Sequence, residues 1–231
     1  TGKHSYLNVF LRNGNRFDSS QMTFPPLMQA AGYQTATIGK WHLSSDPVGF
    51  DYWEVLPGQG SYYNPEFRQQ GGGRKRFEGY CTDLITDKAL QWLKDRDPDK
   101  PFMLMCQHKA PHRNWAPAKR HFDMFPDDVP EPETLFDDYA GRSSLLKENE
   151  MSIRNHFHWG HDMKFNGPNL FPEAFASRHA NGEYRRMTPE QKKIWDAKYE
   201  PENQAFIAKM KAGELSPEDI VRWKYQRYIK D

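Results

Sequence analysis

The stretch that decides the fold is Gly32-Tyr33-Gln34-Thr35-Ala36-Thr37-Ile38-Gly39-Lys40-Trp41-His42-Leu43. Its apolar, β-branched middle is typical of a buried strand, and Gly39 ends that run. Lys40 and His42 follow two positions apart, and such residues point to the same side of extended backbone. Side chains at the carboxyl end of a strand in an open α/β sheet project into the ligand crevice. The stretch predicts a strand over residues 34–38, followed by an ammonium group and an imidazole that converge on one small anion. An isolated Lys-x-His pair would more simply be a surface lysine and a core histidine.

A second strand with basic residues at its end is predicted further along the chain. Residues 101–107 read Pro-Phe-Met-Leu-Met-Cys-Gln and predict a buried strand in which Cys106 is a small buried hydrophobe. The basic residues that follow are His108, Lys109, His112 and Arg113. Two strands that both end in Lys and His predict the walls of an oxyanion site. In the alternative interpretation, one of His108 and Lys109 only stabilises the loop.

Helix signals alternate with these strands. Thr23 is a candidate cap for a helix that stops at Gly32, and Thr82 is a candidate cap for the helix before residue 101. Helices that alternate with buried strands predict an α/β fold with a parallel or mixed sheet. Residues 43–80 are predicted to form a long excursion, and loops of that length are uncommon unless they are functional.

The quoted stretch also carries a family resemblance. Residues 32–43 resemble the Gly-Tyr-x-Thr-x-x-x-Gly-Lys-Trp-His-Leu signature of type I, formylglycine-dependent sulfatases, which include the arylsulfatases. Residues 100–113 resemble the second histidine loop of that family, and residues 1–4, Thr-Gly-Lys-His, resemble the tail of its first signature. The resemblance implies an alkaline-phosphatase-like α/β domain, with a mixed sheet flanked by helices, and hydrolysis of sulfate esters.

The resemblance implies roles for individual residues. Lys40 and His42 would contact the formylglycine hydroxyls, His42 would help to release sulfate, and His112 would bind the sulfate group and help to protonate the leaving oxygen. Tyr62 and Tyr63 lie in a Tyr-Tyr-Asn-Pro stretch similar to members that act on glucosamine units of glycosaminoglycans, such as N-acetylglucosamine-6-sulfatases. The remaining residues assigned to substrate binding are His108, Lys109 and Arg113.

The chain departs from the family at its nucleophile. Neither Cys-x-Pro-Ser-Arg nor Ser-x-Pro-Ser-Arg occurs, and Cys81 and Cys106 lack that context. By resemblance, the nucleophile and the ligands of the expected Ca²⁺ would lie outside residues 1–231, so no metal ligand is assigned within them. No initiator Met or signal peptide begins the chain. We therefore expect a fragment, incomplete at both ends and inactive alone, of an enzyme that is secreted, periplasmic or lysosomal by resemblance.

Three segments are predicted within this partial catalytic domain. Residues 1–120 would form part of the α/β core, residues 121–215 an irregular insertion near the mouth of the active site, and residues 216–231 the start of a core helix. A net charge of +1 and a charged fraction of 27% give no sign of a nucleic-acid partner. No apolar run approaches the ~20 residues of a membrane span. The expected partner is a sulfated carbohydrate or an aryl sulfate.

Several alternatives stay open at the level of sequence. The cluster of His156, His158, His161 and Asp162 is either a Zn²⁺ site or polar surface. The basic run at residues 74–76 either meets an acidic polysaccharide or is a solvated turn. The whole protein is a sulfatase, a phosphoester or phosphonate hydrolase of the same fold, or a non-catalytic sugar-binding remnant.

Overall fold

The computed structural model describes residues 1–165 and 182–231, which fold as two compact units, Thr1–Pro111 and His112–Asp231. The predicted boundaries at residues 120 and 215 stay a prediction. Residues 166–181 of the predicted insertion lie outside the described residues. Within the described ranges, no helix is both long and apolar enough to cross a membrane.

The first unit is a mixed sheet with helices, as predicted. Its elements, in chain order, are α1 (Ser5–Asn8), α2 (Phe24–Ala30), β1 (Gln34–Trp41), β2 (Tyr52–Pro57), β3 (Glu66–Gln69), β4 (Arg74–Arg76), α3 (Cys81–Asp95) and β5 (Phe102–Gln107). The strand order is β4-β3-β2-β1-β5. β1 pairs in parallel with both β2 and β5, whereas β2, β3 and β4 form an antiparallel series.

Two apolar clusters pack this unit. One cluster joins the sheet to α3 through Ile38, Leu56, Phe67, Cys81, Ile85 and Ala89. The other contains Phe50, Trp53 and Val55, with Trp41, Met103 and Met105 packed against it. Because side chains alternate along a strand, neighbouring residues of β2 such as Val55 and Leu56 belong to different clusters. The two clusters make β2 a buried strand on both faces.

Three elements differ from the predictions in this unit. β1 extends to Trp41 rather than ending at Ile38, because its pairing with β2 continues through Lys40 opposite Leu56. Lys40 is therefore part of the strand. The predicted excursion at residues 43–80 contains β2, β3 and β4, and α3 begins at Cys81, before the predicted cap at Thr82. Strands of three to six residues have too little periodicity to be recognised without their pairing partners.

The prediction that β5 is a buried strand with a buried cysteine is wrong. Its bounds agree with the prediction to within one residue, but most of its residues are partly exposed and Cys106 is exposed. The physical reason is position, since β5 lies at the edge of the described sheet and pairs with β1 alone among the described strands. A run of apolar residues does not distinguish an edge strand from a central one.

The second unit is helical. Its elements are a 3₁₀ turn (Lys119–His121), α4 (Ser144–Glu148), α5 (Ile153–His156), α6 (Gly182–Arg186), α7 (Pro189–Lys211) and α8 (Pro217–Lys230). Capping boxes start the two long helices, at Thr188 with Gln191 and at Ser216 with Asp219. The predicted helix start at residue 216 is confirmed, and α7 makes residues 189–211 more regular than predicted.

Aromatic rings and buried ions hold the second unit together. Phe206 and Trp223 lie 4.4 Å apart between ring centroids, and Trp195 and Tyr199 lie 4.6 Å apart. Fully buried Lys164 forms an ion pair with Asp231, and burial lowers the pKa of this lysine. The aromatic content of this region therefore serves packing.

Candidate active site

Three parallel strands bring their carboxyl ends to one edge of the sheet in the first unit. β1 lies between β2 and β5, with Lys40 opposite Leu56 and Gly39 opposite Gln107. This edge is where open α/β sheets bind ligands. Lys40 lies near the end of the pairing, within the strand itself, and His42 is the first residue after the strand ends.

Gly39 allows the close approach of β1 and β5 at this edge. Its φ is +108°, and a Cβ on Gly39 would lie 1.9 Å from the backbone oxygen of Gln107. Real Cβ contacts essentially never fall below 3.0 Å. A side chain at position 39 would therefore push apart the two strands that carry Lys40 and His108.

A cavity of about 600 Å³ opens at the same edge. Lys40, His42 and His108 all line it, and Thr1 contributes from the start of the chain. Its apolar lining includes Phe10, Phe17, Phe24, Pro25, Trp41, Leu43, Val48, Phe50 and Met105. Lys40 and His42 are half-buried and His108 is exposed. Apolar walls strengthen the attraction of a cation for an anion, because they exclude water.

Local contacts hold the segment that carries His42. The Gln59 side-chain nitrogen lies 3.1 Å from His42 Nδ1. Trp41 Nε1 donates to the Ser45 carbonyl oxygen at 2.8 Å, and the Trp41 ring packs edge-on against Phe50 at 6.0 Å. Sequence reasoning missed Gln59, which carries no motif that would have marked it. A donor on Nδ1 favours the tautomer of His42 that carries its proton on Nε2.

The other predicted substrate residues of the first unit are largely buried. Lys109 is 4% exposed and its Nζ lies 4.5 Å from the centre of the Tyr62 ring. Tyr62 and Tyr63 are 2% and 6% exposed, and both rings pack on Tyr80. These contacts give the three residues a packing role, and their role in substrate binding stays a prediction.

His112 and Arg113 belong to the second unit, where a buried carboxylate anchors Arg113. Arg113 Nε donates to Asp162 Oδ1 at 2.8 Å, and its Nη2 contacts Asp162 Oδ2 and the carbonyl oxygen of His156. Asp162 is fully buried, and it also accepts from the backbone N–H of His158 at 2.7 Å. His112 is exposed, and its Nδ1 contacts the carbonyl oxygen of Arg113.

In the histidine-rich segment, hydrogen bonds keep the buried Asp162 carboxylate charged. Burial raises the pKa of Asp162, but the hydrogen bonds from Arg113, His161 and the His158 backbone outweigh it and hold that pKa well below its usual range. The Arg113 pKa is raised by the same carboxylate. The cluster therefore contains a bidentate ion pair between Asp162 and Arg113, which lie 49 residues apart in sequence. Neither the metal interpretation nor the polar-surface interpretation included this pair.

The residues that the structure describes do not fit a Ca²⁺ site by themselves. Within residues 1–165 and 182–231, no group of three or more His, Cys, Asp or Glu side chains is placed to hold a metal ion. The carboxylate of Asp162 already serves the Arg113 guanidinium.

Comparison with known proteins decides the family. The family model described as Sulfatase matches residues 2–190, which is most of the chain. The chain belongs to the sulfatase family. Its mixed α/β fold is the alkaline-phosphatase-like fold of sulfatases, as the resemblance predicted.

Curated relatives of this sulfatase chain include enzymes named for glucosamine 6-sulfates. An N-acetylglucosamine-6-O-sulfatase of Bacteroides thetaiotaomicron is 44% identical over all of the chain and 41% of the relative. The N-acetylglucosamine-6-sulfatase of Homo sapiens is 31% identical over 45% of the chain and 21% of the relative. The chain thus spans less than half the length of these curated sulfatases.

A solved structure is similar to this sulfatase chain along its whole length. It is a protein in complex with its substrate, D-glucosamine-2-N,6-O-disulfate. The TM-score is 0.87 at 43% identity, over 100% of this chain and 46% of the solved chain.

Proposed function

We propose that the complete protein is a sulfatase that hydrolyses the 6-O-sulfate ester of glucosamine units in sulfated carbohydrates. The observation that carries the proposal is the meeting of Lys40, His42 and His108 in one cavity at the carboxyl ends of parallel strands. The relative that aligns with the entire chain at 44% identity, and is named for this substrate, supports the sugar and the position of the ester.

Lys40 and the imidazole N–H of His42 supply electrostatic stabilisation. A sulfate ester develops negative charge on its oxygens as its S–O bond breaks, and an ammonium group or an N–H donor placed at those oxygens lowers the energy of that state. Strand pairing fixes the backbone of Lys40, and the contact with Gln59 orients the His42 ring. The formylglycine nucleophile and the divalent metal, Ca²⁺ by family, supply the attack on sulfur when they are present.

Proton transfer falls to the histidines in this proposal. His112 protonates the oxygen that leaves with the sugar, and its exposure in the second unit keeps its ring accessible to an ester. His42 moves a proton at the nucleophile. The bidentate ion pair with Asp162 fixes Arg113, the residue next to His112. We also assign Arg113 to substrate binding.

Further substrate contacts come from the residues that follow the strands. We assign His108, Lys109, Tyr62 and Tyr63 to binding of the sulfated sugar, with His108 in the cavity itself. We also propose that the protein acts outside the cytosol, where it is secreted, periplasmic or lysosomal and would meet a polymeric sulfated substrate.

The test uses the protein expressed from the complete open reading frame. N-acetylglucosamine 6-sulfate, 4-nitrophenyl sulfate and N-acetylglucosamine 6-phosphate are compared by release of sulfate or phosphate. Preference for the sugar sulfate is expected. Faster hydrolysis of the phosphate would make the protein a phosphoester hydrolase, and no turnover of any ester would leave the non-catalytic alternative.

Variants test the assignment of residues. Lys40→Ala and His112→Ala are each expected to lower kcat/KM about a hundredfold, as for loss of a preorganised charge or proton donor. The matched control replaces three other histidines together, namely His156, His158 and His161. If the triple variant abolished activity while His112→Ala had a mild effect, the site assignment would be wrong.

A further inference from the structure

The β3–β4 hairpin of the first unit has a basic outer strand. Arg74, Lys75 and Arg76 make up β4, and all three are exposed. The turn is built from Gly71–Gly73, each with positive φ and with open space where a Cβ would stand. The basic run is therefore a strand next to an uncrowded turn.

Strand register divides the basic residues between the two faces of the hairpin. Arg74 pairs with Arg68, whereas Lys75 pairs with Phe67. Phe67 is fully buried, and Lys75 Nζ lies 5.0 Å from the centre of the Phe77 ring, so Lys75 lies on the core-facing side. Because side chains alternate, Arg68 and Arg74 share the opposite face.

A groove of about 480 Å³ lies on the face that carries the two arginines. Arg68, Arg74, Trp53 and Asp46 line it, together with the glycine turn. Arg68 forms an ion pair with Asp46, and its guanidinium carbon lies 5.8 Å from the centre of the Trp53 ring. Asp46 therefore compensates the charge of Arg68, and Arg74 is the second guanidinium that lines the groove.

The groove adjoins the cavity that holds the proposed catalytic residues. Asp46 lines both spaces, so a ligand in the cavity with Lys40 and His42 lies next to one in the groove with Arg74. The side chain of Asp46 is 66% exposed, which leaves the border between the two spaces open to solvent.

We propose that this groove is a subsite for a second anionic group of an acidic polysaccharide substrate. The proposal rests on the proposed function and adds the substrate class, namely a chain of at least two sugars with negative charge beyond the ester that is cleaved. Guanidinium groups bind sulfates and carboxylates through paired N–H donors, and Arg74 offers such donors in the groove. The glycine turn leaves room for a sugar ring beside Arg74.

Arg74→Gln is the test, and Lys75→Gln is its matched control. Both changes remove one positive charge from β4, but only the first alters the face that forms the groove. With the complete protein, Arg74→Gln is expected to lower kcat/KM for a sulfated tetrasaccharide about tenfold, the effect of losing a charged hydrogen bond at a solvent-accessible site. Neither variant is expected to change kcat/KM for N-acetylglucosamine 6-sulfate.

Three tetrasaccharides, whose neighbouring sugar carries a sulfate, a carboxylate or no charge, identify the anion. An effect of Arg74→Gln on the sulfated or carboxylated chain alone assigns the subsite to that group. Equal effects of Arg74→Gln and Lys75→Gln would show that only the general surface charge attracts the substrate, and this result would overturn the proposal.

A binding measurement separates this proposal from the proposed function. If the wild-type protein does not hydrolyse the monosaccharide, the proposed function fails, and the Kd of each variant for the charged tetrasaccharide still tests the groove. Weaker binding by Arg74→Gln than by Lys75→Gln supports the subsite, and equal binding overturns it. Thermal unfolding of both variants checks that neither change alters the fold.

Discussion

Gly39 is the position where one added methyl group is expected to do most damage to this site. In Gly39→Ala, the new Cβ would meet the Gln107 oxygen at 1.9 Å and the Gln107 carbonyl carbon at 2.8 Å. Both contacts are with backbone, so no side-chain rotation relieves them. β1 and β5 must separate by at least about 1 Å, at the point where they deliver Lys40 and His108 to the cavity.

Two terms set the magnitude of this effect. A positive φ costs an L-residue about 1 to 3 kcal/mol. Overpacking of a tight contact adds about 1 to 3 kcal/mol when the backbone has to shift. We therefore expect Gly39→Ala to lower the free energy of unfolding by about 2 to 6 kcal/mol, with loss of sulfatase activity in the protein that remains folded.

Gly32→Ala is the matched control for the backbone term. Gly32 has φ +86° but no atom within 4 Å of the point where a Cβ would stand, so the same substitution introduces strain without a clash. Urea denaturation of the complete protein, followed by tryptophan fluorescence, measures both variants against the wild type. If the two variants lose stability to within about 0.5 kcal/mol of each other, the close approach of β1 and β5 is not what demands glycine.

Three further predictions concern the chain as a whole and the second unit. Residues 1–231 alone are expected to hydrolyse an aryl sulfate with added Ca²⁺ no faster than buffer does, and turnover that co-purifies with the chain would contradict the assignment of the nucleophile elsewhere. Asp162 has a lowered pKa in the folded protein, so its contribution to stability is present above about pH 4 and is lost as pH falls toward the folded pKa. Asp162→Asn should therefore be less stable at pH 7 by about 3 kcal/mol and show a flatter loss of stability in acid, as measured by urea midpoints from pH 2 to 7. Burial lowers the pKa of Lys224 to about 8, so the unfolded chain binds more protons between that pKa and about 10, and stability should rise with pH across that window. Lys224→Met should reduce this rise by about 1 to 3 kcal/mol, and an unchanged pH dependence of the melting temperature would show that Lys224 is not the group that titrates.

Local signals predicted several elements correctly. The end of β5, the start of α2 and the start of α8 agree with the structure, because a cap or a strand end depends on a few neighbouring residues. The mixed α/β class followed from the alternation of these elements.

Long-range pairing explains the elements that were not predicted. β2, β3 and β4 were hidden in a predicted excursion, because their stability comes from partners elsewhere in the sheet rather than from their own periodicity. The exposure of Cys106 depends on which strand lies at the edge. No local pattern reports a strand's position in a sheet.

In the candidate site, too, some features were predicted from local sequence and others were seen only in the structure. Residues 32–43 by themselves predicted the family and the presence of a lysine–histidine pair at a strand end, because the order of residue types in that stretch is specific. Only the tertiary structure decided what holds and surrounds the functional groups. Gln59 meets His42, and Asp162 meets Arg113 across 49 residues of sequence. Such contacts arise when packing brings distant segments together, and sequence spacing contains no record of that.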